Sequence, residues 1–140
     1  MIAFRVLIID DDADDRELLG EALTNEGLEP ILSLESAQQV FSYLQAVEKD
    51  EDLPTLIVTD LNMQGMSGLE LLQGLQGEER YRHLPVVIYS TSSYSRDIRK
   101  CLLAGARQYI TKPSTYNGFR EVTASLKQHM LNPSYLTAFR

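Results

Sequence analysis

Short continuous apolar runs alternate along the chain with longer stretches in which apolar residues recur every three or four positions. Val6–Ile9, Leu56–Val58 and Val86–Tyr89 are rich in β-branched residues and too short for helices, so they predict strands buried on both faces of a parallel sheet. Pro30–Ser33 and Gln108–Thr111 are expected as two more. Between these runs the period changes. Leu18, Leu19, Ala22 and Leu23 put an apolar face on a helix with an acidic start and an end at Gly27. Ser36–Val47 carries Ala37, Val40, Phe41 and Leu44 at helical spacing. Leu69–Leu75 reads as a third helix, weakened by Gly74 and closing near Gly77. Ser95–Ala104, ended by Gly105, is a fourth, and Ser114–Leu131, with Phe119, Val122 and Leu126 inward, a fifth. The charged stretch Glu48–Asp52 reads as a solvated loop.

Strands alternating with helices in this way predict an α/β fold, a doubly wound five-stranded parallel sheet with right-handed crossovers and five helices. The domain is expected over residues 1–131, with 132–140, which holds Tyr135 and Phe139, as a C-terminal tail. In such sheets ligands bind beyond the carboxyl ends of the strands. Asp10, Asp11 and Asp12 follow the first strand, Asp60 the third, Ser90 and Thr91 the fourth and Lys112 the fifth. Chemically capable side chains therefore converge on one edge.

That edge carries an electrostatic cost. Asp10, Asp11, Asp12, Asp14 and Asp15 crowd together, and two like charges about 4 Å apart repel by roughly 1 kcal/mol in water and roughly 4 kcal/mol near a protein surface. Capping and the helix macrodipole favour acids at a helix start, which accounts for Asp12, Asp14 and Asp15. Asp10 and Asp11 call for a cation. Hard oxygen ligands suit Mg²⁺, which keeps waters and shares its shell with phosphate oxygens. Asp60 has the chemistry of a phosphoryl acceptor. Its attack on a phosphoryl group brings two anions together, so a divalent ion and a lysine, here Lys112, are the needed neutralisers.

Composition narrows the field. At 140 residues the chain fits one domain, and no apolar run approaches the ~20 residues that cross a bilayer, so no membrane association is expected. The start lacks the pattern of a signal peptide, and the single Cys101, expected inside the fourth helix, excludes an intramolecular disulfide; both fit a cytoplasmic protein. With 13 basic against 20 acidic residues and a net charge of −7, direct nucleic-acid binding is not expected. His83 and His129 have no partners at metal-ligand spacing, so neither zinc nor histidine catalysis is supported.

The stretches "VLIIDDDADDRELL", "LIVTDLNMQGMSGLELL", "PVVIYSTSS" and "GARQYITKP" resemble a response-regulator receiver domain of two-component signalling, of the stand-alone chemotaxis-receiver type, over roughly positions 5–130. The resemblance implies a flavodoxin-like strand order, 2-1-3-4-5. It implies Asp60 as the phosphorylated aspartate and Asp10 and Asp11 as the acidic pair holding Mg²⁺, Asp11 directly and Asp10 mostly through water. Asn62 would lend its backbone carbonyl to the metal. Ser90 would hydrogen-bond the phosphoryl group, Tyr109 would be the aromatic switch, and Lys112, followed by a cis bond to Pro113, would pair with phosphate. Gln64 stands where the family often has proline, which implies a less rigid loop after Asp60.

Functionally, the resemblance implies a module that takes a phosphoryl group from a sensor histidine kinase or phosphotransfer protein. It would catalyse only its own phosphorylation and dephosphorylation, with Asn62 and Ser92 influencing the approach of water. It would then repack the face formed by the fourth helix, fifth strand and fifth helix. Output would pass through a downstream protein or through self-association as a homodimer. A phosphatase of the haloacid dehalogenase type is the alternative from another class, but it needs an acid two residues after the nucleophile, where Asn62 stands. A flavodoxin-like cofactor binder would need a Gly-, Ser- or Thr-rich loop after the first strand, where the aspartates would instead repel a phosphate.

Overall fold

The computed structural model describes residues 3–131. The strands are β1 (Val6–Ile9), β2 (Ile31–Leu34), β3 (Leu56–Thr59), β4 (Val86–Ser90) and β5 (Gln108–Thr111). They alternate with α1 (Ala13–Asn25), α2 (Ala37–Ala46), α3 (Gly68–Gln76), α4 (Ser95–Leu103) and α5 (Tyr116–Leu131). The sheet is parallel throughout, in the order β2-β1-β3-β4-β5, as the resemblance implies. The segment 132–140, expected as a tail, lies outside the described residues.

Side chains alternate between the two faces of a strand, and this sorts the core into two layers. Leu7, Ile9, Ile57, Val86 and Ile88 pack with Val40 and Leu44 of α2, Leu71, Leu72 and Leu75 of α3 and Cys101 of α4. Val6, Ile8, Leu56, Val58, Val87 and Tyr89 pack with Leu19 and Leu23 of α1 and Val122 and Leu126 of α5. Both faces are covered, as a parallel sheet requires. Cys101 is fully buried, and burial pushes its thiol up to about 11, so it packs as an inert apolar group.

Local rules explain most helix boundaries. Asp12 caps α1 by accepting from Asp15 N at 3.0 Å, and Ser67 with Glu70 forms a capping box at α3. Thr115 Oγ1 accepts from Gly118 N at 3.0 Å, which sets the start of α5 later than Ser114. Gly74, unfavourable inside a helix by propensity, is there because Phe41 of α2 lies against it: a Cβ would meet Phe41 Cζ at 2.8 Å.

Some expectations need correction. Leu18 is 55% exposed rather than inward, since Leu19 and Leu23 occupy the sheet-facing line of α1 and Leu18 turns toward α5. Within Glu48–Asp52 the chain forms a 3₁₀ turn, Asp50–Asp52, pinned by Arg80, which donates to Asp50 Oδ1 at 2.8 Å and to the Val47 carbonyl at 2.7 Å. Among the described residues the cis peptide bond is Glu29–Pro30, and Lys112–Pro113 is trans. There the sheet ladder runs on through Lys112, whose N–H donates to the Ser90 carbonyl at 2.7 Å.

His129 of α5 is buried beside β5, its Nε2 2.9 Å from Gln108 Oε1. Burial, reinforced by the Arg107 charge, lowers its pKa from 6.5 to about 4. The unfolded chain therefore binds the proton more readily than the fold. Stability is fully present above about pH 6.5 and falls as pH drops toward 4, by about 3 kcal/mol for this group. Denaturant melts across that range should show the loss in the wild type and a flatter profile in His129→Gln.

Candidate functional site

The polar residues at the sheet's carboxyl edge inherit their directions from the strands below them. Asp10, Asp60 and Lys112 each stand one residue beyond a strand and are still held in the ladder. Asp10 N donates to the Leu34 carbonyl at 3.1 Å, Asp60 N to that of Ile9 at 2.8 Å, and Lys112 N to that of Ser90 at 2.7 Å. They continue the rows that face α1 and α5. Ser90 continues the opposite row, above Ile88, toward α4.

Lys112 organises the first group. Its Nζ lies 2.7 Å from Asp10 Oδ2, 2.8 Å from Asp15 Oδ2 and 3.4 Å from Asp60 Oδ2. The side chain is only 10% exposed and its ammonium sits 5.6 Å above the ring of Tyr89. Burial alone would lower the Lys112 pKa. Hydrogen bonds to Asp10 and Asp15 and the charges of Asp60 and Asp10 overcome that and hold it above its ordinary value.

Each carboxylate has further support. Asp10 is buried, accepts from Asp12 N at 2.9 Å through Oδ1, and has its carbonyl gripped by Arg16 Nη1 at 2.6 Å. Asp60 accepts from Leu61 N at 2.7 Å through Oδ1 and turns Oδ2 to the lysine. Burial raises the Asp60 pKa, Lys112 opposes this, and Asp10 adds to it; the net shift is upward. Behind Asp60 the start of α3 presses so close that a Cβ on Gly68 would lie 2.1 Å from the Asp60 carbonyl oxygen.

The exposed Asp11 completes a cluster: one oxygen each from Asp10, Asp11 and Asp60 lie within 4.8 Å of one another. Such a hard, anionic oxygen set, with one lysine to balance it, is chemically suited to a divalent cation. Asn62 lies exposed in the loop two residues past Asp60.

Ser90 and Tyr109 meet through Ser92. Ser90 is fully buried and its Oγ accepts from Ser92 N at 3.2 Å. Tyr109, half-buried, donates its hydroxyl to the Ser92 carbonyl at 2.8 Å. The Ser92 hydroxyl donates to Asp97 Oδ2 of α4 at 2.6 Å. Ser92 thus joins β4, β5 and α4, a larger part than the loop or cap residue the sequence suggests. Asp15 carries a second role that the sequence does not show. It lies in the first turn of α1, as the sequence suggests, and its carboxylate also pairs with Lys112, a contact that only the folding of the chain between α1 and the end of β5 brings about.

Comparison with known proteins agrees with this geometry. Residues 6–124 match the sequence model of the response regulator receiver domain. The chain is 32% identical over 117 residues to a chemotaxis protein CheY homolog of Campylobacter jejuni, covering 84% of this chain and 87% of that protein. It is 38% identical over 108 residues to the two-component response regulator ORR8 of Oryza sativa subsp. indica, covering 77% and 85%. Among solved structures, the phosphorylated cyanobacterial phytochrome response regulator RcpA superposes with a TM-score of 0.81 at 23% identity, covering 96% of this chain and 99% of that one. The Mn²⁺-bound response regulator Rcp1 gives 0.78 at 23% identity, covering 95% and 98%. At these identities the two structures speak to the fold.

Cation binding at the cluster can be tested directly. At one hundred times its dissociation constant, a divalent cation should raise the unfolding free energy by about 2.7 kcal/mol. Asp11→Asn should remove most of that gain. Equal gains in the two proteins, measured by denaturant melts with and without the cation, would place the ion elsewhere.

Proposed function

The chain belongs to the response-regulator receiver family, and from that premise we propose that it is a phosphorylation-controlled switch with Asp60 as its phosphoacceptor. The observation that carries this reading is the approach of Lys112 to Asp60 at 3.4 Å beside the Asp10–Asp11–Asp60 cluster. The phosphoryl donor in this reading is a phosphohistidine on a sensor histidine kinase or phosphotransfer protein. Asp60 Oδ2 attacks phosphorus, the O–P bond forms, the N–P bond breaks, and its electron pair returns to the imidazole, which takes a proton from solvent. In hydrolysis water attacks phosphorus, the new O–P bond forms as the bond from phosphorus to Asp60 Oδ2 breaks, the carboxylate leaves with the electron pair, and of the water's two protons one stays with phosphate and one goes to solvent. The chain acts on no substrate other than its own phosphoryl group.

Lys112 faces the oxygen that gains the phosphoryl group and holds a positive charge beside it before the group arrives. Mg²⁺ in this reading would be held by Asp10, Asp11, Asp60 and the Asn62 carbonyl, and supplies neutralisation of the phosphoryl oxygens when bound. Asn62 and Ser92, near the acceptor and the switch, would govern the access of water. Ser90 Oγ accepts from Ser92 N, which leaves its own proton to donate to a phosphoryl oxygen.

Movement of Ser90 would pull on Ser92, to which Tyr109 and Asp97 are also bonded, and so reach α4. The α4–β5–α5 face would then bind a downstream protein or a second copy of the chain; Tyr94 and Leu103 stand 72% and 82% exposed there. Among the described residues no helix is long and apolar enough to cross a membrane. A cytoplasmic site of action belongs to this reading, since the phosphohistidine donor is made from ATP.

With acetyl phosphate and Mg²⁺, intact-mass measurement should show one added phosphoryl group on the wild type and none on Asp60→Asn. Unchanged labelling of Asp60→Asn would remove Asp60 from its role. Lys112→Ala should keep the fold and lose most of the phosphorylation-dependent change at the α4–β5–α5 face, read as amide chemical-shift differences; an intact response would take Lys112 out of the mechanism.

A further inference from the structure

Resting on the reading of Asp60 as phosphoacceptor, we propose that Asp15 is a positioning residue that holds Lys112 on the α1 side and competes with the phosphoryl group for it, setting how readily the site fills. A lysine ammonium has three N–H donors. Here they face Asp10, Asp15 and Asp60, at 2.7, 2.8 and 3.4 Å. The two short contacts lie away from the acceptor, and the contact to Asp60 is the longest.

A phosphoryl group on Asp60 carries more charge than the carboxylate it replaces and must draw the ammonium toward itself. One existing contact has to yield. Asp10 is 4% exposed, so losing its cation would strand a buried charge, which costs far more than the contact itself is worth. Asp15 is 39% exposed and can exchange Lys112 for water. Asp15 is therefore the partner released when phosphoryl arrives. It is well placed for the part, since Asp12 Oδ1 accepts its backbone N–H and fixes it in the first turn of α1. The macrodipole would be satisfied equally well by the exposed neighbour Asp14, so helix stability alone does not require this carboxylate to reach Lys112.

The test is calorimetric titration with beryllium fluoride, a phosphoryl analogue, in the presence of Mg²⁺, on protein whose fold is checked by melting. Asp15→Asn should bind about two- to fivefold more tightly than the wild type. Asp15→Ala, a second variant without the amide, should shift the same way. Asp15→Glu should restore wild-type affinity, and Asp14→Asn, which removes the same charge from the same turn, should leave it unchanged. Unaltered or weaker binding by both Asp15→Asn and Asp15→Ala would overturn the inference, as would an equal shift in Asp14→Asn, which marks a general field effect. Absence of binding by the wild type would overturn the phosphoacceptor reading and the inference with it.

Discussion

A single buried ammonium makes this site possible. Lys112 reaches three carboxylates from three different elements, Asp10 after β1, Asp15 on α1 and Asp60 after β3. At 4 Å near a protein surface each attraction is roughly 4 kcal/mol, and each repulsion among the acids is of the same order. One cation therefore cannot balance the set once Asp11 is counted. The residue is an anionic site, partly neutralised and open on the Asp11 side, that favours whatever brings further positive charge.

The sheet makes the meeting geometrically unavoidable. Alternation of side chains sends Asp10, Asp60 and Lys112 toward the α1/α5 layer and Ser90 and Tyr109 toward α4. Carboxylates and hydroxyls thus occupy opposite sides of one edge, linked by the bond from Lys112 N to the Ser90 carbonyl. Ser92 then collects Ser90, Tyr109 and Asp97 into one short network. That network ends on Asp97, in the first turn of α4.

Much of this was legible from the chain. Three strands are legible as short β-branched runs and two from their place in the alternation, β2 lying one residue later than Pro30–Ser33, and the site edge follows from what ends each strand. Asp10, Asp11, Asp60 and Lys112 do converge. What escaped was decided by packing between distant segments. Asp15 looked like an ordinary helix-start acid because the macrodipole explained it, and its partner lies 97 residues away. Leu18 shares an apolar pattern with Leu19, yet one residue is a 100° turn of the helix, which carries Leu18 off the sheet-facing line. Gly74 is a weakness by helix propensity alone, and only the ring of Phe41 lying against it explains its place.

The most direct test of this account is a crystal structure of the protein with Mg²⁺ and beryllium fluoride. The account predicts an adduct on an Asp60 carboxylate oxygen, the metal beside Asp11, and Lys112 Nζ within hydrogen-bond distance of a fluoride. An adduct on another residue, or an Asp60 adduct with Lys112 turned away from it, would contradict the account.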